Sequence, residues 1–363
     1  MTRPAVLIFH RPAAAGEPAL VRFMADVRGE LARRQSALLE RAGARAATFI
    51  DEWHDGLSFG EVLAEVAPAR GGAIVFGSGA VARLNLGDAQ RLVACASAAA
   101  GAPAALTNNR YSSDIVALAR AGVLRDLAAL PSDNALPRWL EEVARLRVSE
   151  LPGRDRLALD LDTPLDVCLA ALVPGAPAWL RRAVADANLA VPRLDDVRRV
   201  AGDPLKELLV FGRSGSHTLA WLERNVRCRV RFLAEERGLR ASSPLASAGA
   251  PLRRHAGRDP NATLSMLLAQ RGPSALADIV AQLADAALID SRVLLAAHMG
   301  SDESRWPSQQ DRFASDLHDH AAVSDAWLQD VTRSAAESKM PILLGGHTLV
   351  GPGVAIALKG ALT

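Results

Sequence analysis

The feature that most constrains this chain is an alternation of short apolar runs with longer amphipathic stretches through its first half. "AVLIF" at Ala5–Phe9 is rich in strand formers, and Leu20, Phe23, Met24, Val27 and Leu31 then recur at helical spacing until Gly43 offers a stop. "AATFI" reads as a second strand, "FGEVLAEV" as a second helix, "GGAIVFGSG" as a third strand running into a glycine turn, and 88–100 as a helix. "PAALT" then enters the polar loop "NNRYSSD", two more helical stretches follow, and "LALDLDTPLDV" at 157–167 closes the series as a strand. This order specifies a mostly parallel sheet covered on both faces, a three-layer α/β domain of Rossmann-like type. Ligands in such sheets sit beyond the strand carboxyl ends. "FGSG", "LTNNRYSSD" and "DLDTP" each follow an apolar strand, so they are expected to gather at one edge of the sheet.

The rhythm changes after Leu172, where "VPGAPAWL" sets Pro and Gly in quick succession and marks a seam. A chain of 363 residues, half of them hydrophobic, favours two domains over one. The expected division is an α/β domain at 1–175 and a mainly α-helical domain at 176–363, the latter closed by an apolar hairpin or strand pair in "MPILLGGHTLVGPGVAIALKG". Residues 240–262, rich in Ser, Ala, Pro and Gly, read as a mobile loop. No internal repeat stands out.

Lys and Arg number 42 against 40 Asp and Glu, scattered rather than gathered, so no nucleic-acid or membrane footprint is expected and a small charged ligand remains open. Three cysteines without a Cys-x-x-Cys spacing argue against a disulfide framework or thiolate metal site and fit a reducing cytoplasm, with Cys95, Cys168 and Cys228 as packing residues. The opening apolar run is too short for a signal-peptide core, and 92–106, mostly Ala with Gly101 and Pro103, is too weakly hydrophobic to span a bilayer. A soluble, cytoplasmic protein is the expectation.

Asp160 and Asp162 pose the sharpest question. In a strand, residues two apart share a face, so the two carboxylates would project together and repel unless a cation or proton sat between them. Mg²⁺ would resolve that, completing its shell with phosphate and water. Helix capping offers another account: Asp162 or Thr163 as cap, Pro164 in the first turn, and Asp166 at the positive end of the dipole. Capping leaves Asp160 unexplained.

"ALDLDTPLDV" resembles the closing strand and helix start of the glycosyltransferase-A-like nucleotidyltransferases, such as the guanylyltransferases of molybdenum-cofactor and deazaflavin-cofactor synthesis, where Asp-x-Asp-Thr-Pro recurs. "VLIFHRPAAAGEP" is similar to the first strand and loop of a related branch, and "LTNNRYSSDIVAL" to the Thr-Asn loop of the deazaflavin enzymes; the likeness spans about residues 1–172. The resemblance implies a glycosyltransferase-A-type fold, Asp160 and Asp162 as catalytic metal ligands for Mg²⁺, and a nucleotide with a small phosphorylated or sugar acceptor as partners. Thr107, Asn108, Asn109 and Arg110 would then lie near nucleotide or acceptor. Two departures stand out. Gly16 is followed by "EPALV", so the usual early Lys or Arg is missing until Arg22, and "FGSGAVARL" lacks the usual aspartate after the third strand. Either Arg83 and Arg110 substitute for the missing charge, or this half binds without catalysing.

Gly77, Ser78 and Gly79 could bring backbone N–H groups near a phosphate at the next helix start, or form an ordinary turn. "NNRYSSD" supplies many donors, or caps the following helix. In the second half, Arg213, Glu235, Glu236, Asp290, Arg292, Asp311, Arg312 and Asp316 sit in apolar context and are expected to pair into a buried ion network that fixes helix packing. The alternative is a second site using His217, His298 or His347, with Asp290 and His298 sharing a helix face; "HDH" at 318–320 reads as a solvated face. Metal-dependent nucleotidyl transfer and non-catalytic ligand binding or assembly are the functions to be weighed.

Overall fold

The computed structural model describes residues 3–51, 57–98, 104–127, 130, 133–235, 261–300 and 302–359. Residues 240–260 of the loop expected to be mobile, and Glu236, lie outside that set. The chain divides into two compact units, the first holding residues 3–15 and 25–160, the second 16–24, 161–235 and 261–359.

The first unit is built on a mixed six-stranded sheet: β1 Ala5–Phe9, β2 Ala47–Ile50, β3 Ala73–Gly77, β4 Ala104–Thr107, β5 Ile115–Leu118 and β6 Arg147–Glu150, in the order β2-β1-β3-β5-β4-β6. All run one way except β5, which is antiparallel to both β3 and β4. Its reversal follows from chain length: only residues 108–114 join β4 to β5, whereas a parallel crossover needs a dozen or more residues. Alternation along the strands sends Leu7, Phe9, Val75, Val116 and Leu118 into one core with Phe59, Leu63, Leu136 and Trp139. Val6, Ile8, Ile74, Phe76, Ile115 and Ala117 enter a second core with Leu39, Leu92, Val93 and Leu157. The sheet therefore has helices on both faces. Residues 57–66 start their helix, Phe59–Val66, through a capping box of Ser58 and Glu61, and Leu86–Ala96 does so through Asn85 and Asp88.

The expected closing strand is absent. Residues 159–162 carry no regular structure between the short helix Arg154–Leu157 and the helix Pro164–Ala171, so Asp160 and Asp162 do not share a strand face. The strands that complete the sheet are instead β5 and β6.

The second unit contains a parallel sheet of β7 Glu207–Gly212, β8 Arg229–Ala234, β9 Ala286–Asp290 and β10 Ile342–Gly345, ordered β10-β9-β7-β8. Helical residues outnumber strand residues there, but the architecture is set by a sheet that helical periodicity alone had not suggested. Leu209, Phe211, Ala287, Ile289 and Leu344 face one helical layer, and Leu208, Val210, Ala286, Leu288 and Leu343 face another. The expected terminal hairpin is also replaced: β10 is a single parallel strand, followed by helices His347–Val350 and Pro352–Leu358. Among the described residues no helix is long and apolar enough to cross a membrane.

Candidate functional site

The order of the first sheet places β2 on one side of β1 and β3 on the other, so the connection reverses between the carboxyl ends of β1 and β3. Crevices at such reversals are where open α/β sheets bind ligands. His10 follows β1 and Ser78 follows β3, and His10 Nδ1 lies 3.0 Å from Ser78 Oγ. Both residues are half-buried. The His10 ring sits against Gly29 of the helix Ala19–Arg41, where an added Cβ would lie 3.0 Å from Nε2, and meets Phe49 edge-on. Burial lowers the His10 pKa from its usual value; Arg33 and Arg28 push the same way, against Asp51 and Asp26.

The loop after β3 is clamped. Ser78 N–H donates to the Phe9 carbonyl (2.7 Å), Ala80 N–H to Gly77, and Ala82 N–H to Leu159. The Asp160 carboxylate, 7% exposed, accepts the Val81 N–H at 2.7 Å through Oδ1. From the other side, buried Gln35 donates to the carbonyls of Ala80 (2.8 Å) and Val81 (3.2 Å). Val81 has φ of 43°, a left-handed conformation that a β-branched residue seldom adopts. Glycine is required two residues earlier, where Gly79 has φ of 94°. Most amides of this loop thus already serve the protein, and the helix that follows carries its own side-chain cap, so Gly77, Ser78 and Gly79 form a fixed turn rather than an open helix N-terminus.

The "LTNNRYSSD" loop reaches the same carboxyl edge but uses its first side chains internally. Thr107 and Asn108 are buried. Thr107 Oγ1 lies 2.8 Å from Ser113 Oγ; Asn108 Oδ1 accepts the N–H groups of Asp114 and Ile115, and its amide donates to Asp114 and to the Leu157 carbonyl. These bonds shape the reversal into β5. Asn109 accepts from Arg154 and from Tyr111 N–H, and Arg110 is paired with Glu141. Of the two arginines expected to replace the missing charge, Arg110 is therefore neutralised, whereas exposed Arg83 makes no ion pair among the described residues; Arg156 beside it is held by Asp88. Asp133, at the start of a short turn of helix, lies close to Gly77.

The residues at the aspartate pair fit a bound Mg²⁺ poorly. One Asp160 oxygen serves Val81. Asp166 Oδ2 accepts the N–H groups of exposed Asp162 and of Thr163, and Thr163 Oγ1 accepts the Asp166 N–H as cap of the helix Pro164–Ala171. Capping accounts for Thr163, Pro164 and Asp166, and clamping of the β3 loop accounts for Asp160. No group of three or more His, Cys, Asp or Glu side chains placed to hold a metal occurs among the described residues.

The second sheet reverses in the same way between β7 and β9, and there the polar groups are paired. Arg213 forks onto Asp290 (Nε to Oδ2 2.6 Å, Nη2 to Oδ1 3.1 Å), and Arg292 forks onto Asp316. Gly212 makes the first pair possible: its φ is 127°, and a Cβ there would lie 2.3 Å from that of Asp290. Burial is the largest influence on the Asp290 carboxylate and opposes its charge, but the Arg213 charge and hydrogen bond together with the charges of Arg292 and His347 outweigh it and keep the pKa below the usual range. Asp166 is pushed well above that range by burial and by the charges of Asp162 and Asp316, and its Oδ1 has no hydrogen-bond partner. Asp311 accepts the N–H groups of Ser324 and Asp325, Arg312 reaches Glu303, and Glu235 accepts from Thr263. The imidazoles disperse: His217 is exposed, His298 stacks on Trp327, and His347 starts the helix after β10. His318, expected on a solvated face, is instead largely buried, which with Arg193 lowers its pKa to about 4.

Sequence reasoning passed over His10, Gln35 and Val81. The place of His10 directly after the first strand was a usable signal; its pairing with a serine 68 positions away was not. No protein-family model matches the chain, and no curated protein gives a significant match.

Proposed function

We propose that the first unit binds a small anionic ligand of the nucleotide class at the β1/β3 reversal, on a scaffold of glycosyltransferase-A type, and that binding rather than metal-dependent transfer is what this edge serves. The observation that carries the reading is the use of Asp160 as a clamp on the β3 loop: its carboxylate holds the Val81 N–H and so fixes the floor of the crevice. Arg83, exposed and without an ion pair among the described residues, supplies positive charge for the ligand. Phosphoryl-type transfer depends on positioning and charge neutralisation. An edge with one such arginine and a clamped carboxylate offers the first more than the second.

The test is a thermal-shift series with nucleoside triphosphates, with and without Mg²⁺, alongside an assay for pyrophosphate release in the presence of phosphorylated and sugar acceptors. Stabilisation without product is the expected result. Absence of stabilisation by every nucleotide overturns the reading. Metal-dependent nucleotidyl transfer is the second reading, favoured by a buried carboxylate and a free-standing arginine at one sheet edge; product that disappears in Asp160→Asn would establish it instead.

A further inference from the structure

We propose that Ser78 and His10 form a nucleophile–base pair that cleaves carboxylic esters at the carboxyl edge of the first sheet. This goes beyond ligand binding and does not depend on the ligand being a nucleotide.

A serine hydroxyl becomes a nucleophile when a neighbouring base stands within hydrogen-bond reach, about 2.6–3.2 Å. The Ser78 Oγ to His10 Nδ1 distance of 3.0 Å meets that requirement. Proton acceptance further demands a neutral ring. Burial and the nearby guanidinium groups of Arg33 and Arg28 favour the uncharged imidazole, with Asp51 and Asp26 opposing them more weakly. In the tautomer carrying its proton on Nε2, Nδ1 accepts the Ser78 proton. Packing against Gly29 and Phe49 holds the ring in place of a third hydrogen-bonded residue.

The serine is presented on a tight turn. Its N–H is anchored to the Phe9 carbonyl, and the turn passes through the positive φ angles of Gly79 and Val81, held by Asp160 and Gln35. Strained turns that aim a side chain are a recurrent property of active sites. The residue after an esterase nucleophile ordinarily donates its N–H to the developing oxyanion. Here that residue is Gly79, whose N–H donates to no acceptor among the described residues.

In the forward step Ser78 Oγ attacks the ester carbonyl carbon while its proton passes to His10 Nδ1. The carbon–alkoxy bond then breaks, and the leaving alkoxide takes the proton from His10. Water attacks the resulting acyl-serine, giving its proton to His10 and releasing the carboxylic acid as Ser78 regains its hydrogen. Only ester and water are consumed.

The experiment uses the full chain, a fluorophosphonate probe with the labelled peptide located by mass spectrometry, and p-nitrophenyl acetate as substrate. The expected result is a label on Ser78, lost in Ser78→Ala and after denaturation, with ester hydrolysis falling about 100-fold or more in His10→Gln, the usual range for loss of a general base. Labelling of the unaltered protein should decline on acidification through a group titrating below the ordinary imidazole value of 6.5. That profile requires no variant to fold. Absence of label at Ser78, undiminished labelling in folded His10→Gln, or a rate that only climbs with hydroxide would each overturn the proposal. The nucleotide thermal shift is a separate readout, so either idea can fail without the other.

Discussion

The β1/β3 reversal of the first unit and the β7/β9 reversal of the second are the same topological device treated in opposite ways. In the second unit Arg213 and Arg292 stand at the strand ends, each neutralised by a buried aspartate through a forked pair. The first unit places an uncharged hydroxyl and a half-buried imidazole at the equivalent points, with its carboxylate, Asp160, turned onto backbone. Buried ion pairs fix a geometry but leave little unsatisfied for a ligand, because each charge must keep its partner to offset desolvation. A hydroxyl–imidazole contact carries no such obligation and can exchange its proton. Topology therefore nominates both edges, and the chemistry of the side chains separates a packed one from one suited to ligands.

The largest test of that contrast is Asp290→Ala. If the second edge is structural, stranding Arg213 costs about 3–5 kcal/mol in urea unfolding, whereas the double change Arg213→Met with Asp290→Leu recovers most of the loss. A small effect would reopen that edge as a binding site. Asp160→Ala probes the first edge and should cost about 1–3 kcal/mol by leaving the Val81 amide without an acceptor. Its effect should also reach Ser78 labelling, since the turn loses its clamp.

Asp166 gives a smaller, pH-dependent effect. Its folded-state pKa is raised, so the folded chain holds this proton more tightly than the unfolded chain does. The associated stability is fully present below the unfolded carboxylate value of 3.8 and is lost as pH rises through the folded value. Asp166→Asn should remove that alkaline decline, a difference of about 1.4 kcal/mol for each unit of elevation. Equal pH profiles for the two proteins would show that the carboxyl is ionised throughout. The smallest change is Thr163→Ala, expected to cost about 1 kcal/mol through the lost cap, with no effect on Ser78 labelling.

How much of this was legible depended on how strongly each element declares itself in local pattern. The cores of β1 to β4 were readable because each is a short apolar run bounded by Gly, Pro or polar residues. β5, "IVAL", follows a string of polar residues and was absorbed into a helical reading; β6, "RVSE", is an edge strand with only Val148 buried, so it lacks the apolar signature altogether. "LALDLD" misled in the other direction, since its alternating leucines are all buried, Leu157 as the end of a short helix and Leu159 and Leu161 in the irregular connector after it. Of the second sheet only β10, "ILLG", lies in a segment the pattern marks as strand; short apolar runs such as "LLVF" in β7 do not distinguish a buried strand from a buried helix segment, so the sheet as a whole was not legible. At the site, residue types were visible but partnerships were not. Asp160 looked anomalous because its acceptor role depends on an amide 79 positions away.

Val81 carries a consequence for motion. A valine with φ of 43° is intrinsically uncomfortable, by roughly 1–2 kcal/mol, and stays there while the Asp160 carboxylate and the Gln35 amide grip its two ends. Slow exchange of solvent deuterium should therefore find residues 78–84 unlatching well before the strands beside them separate. Whatever loosens that grip would move the serine without melting the sheet that carries it.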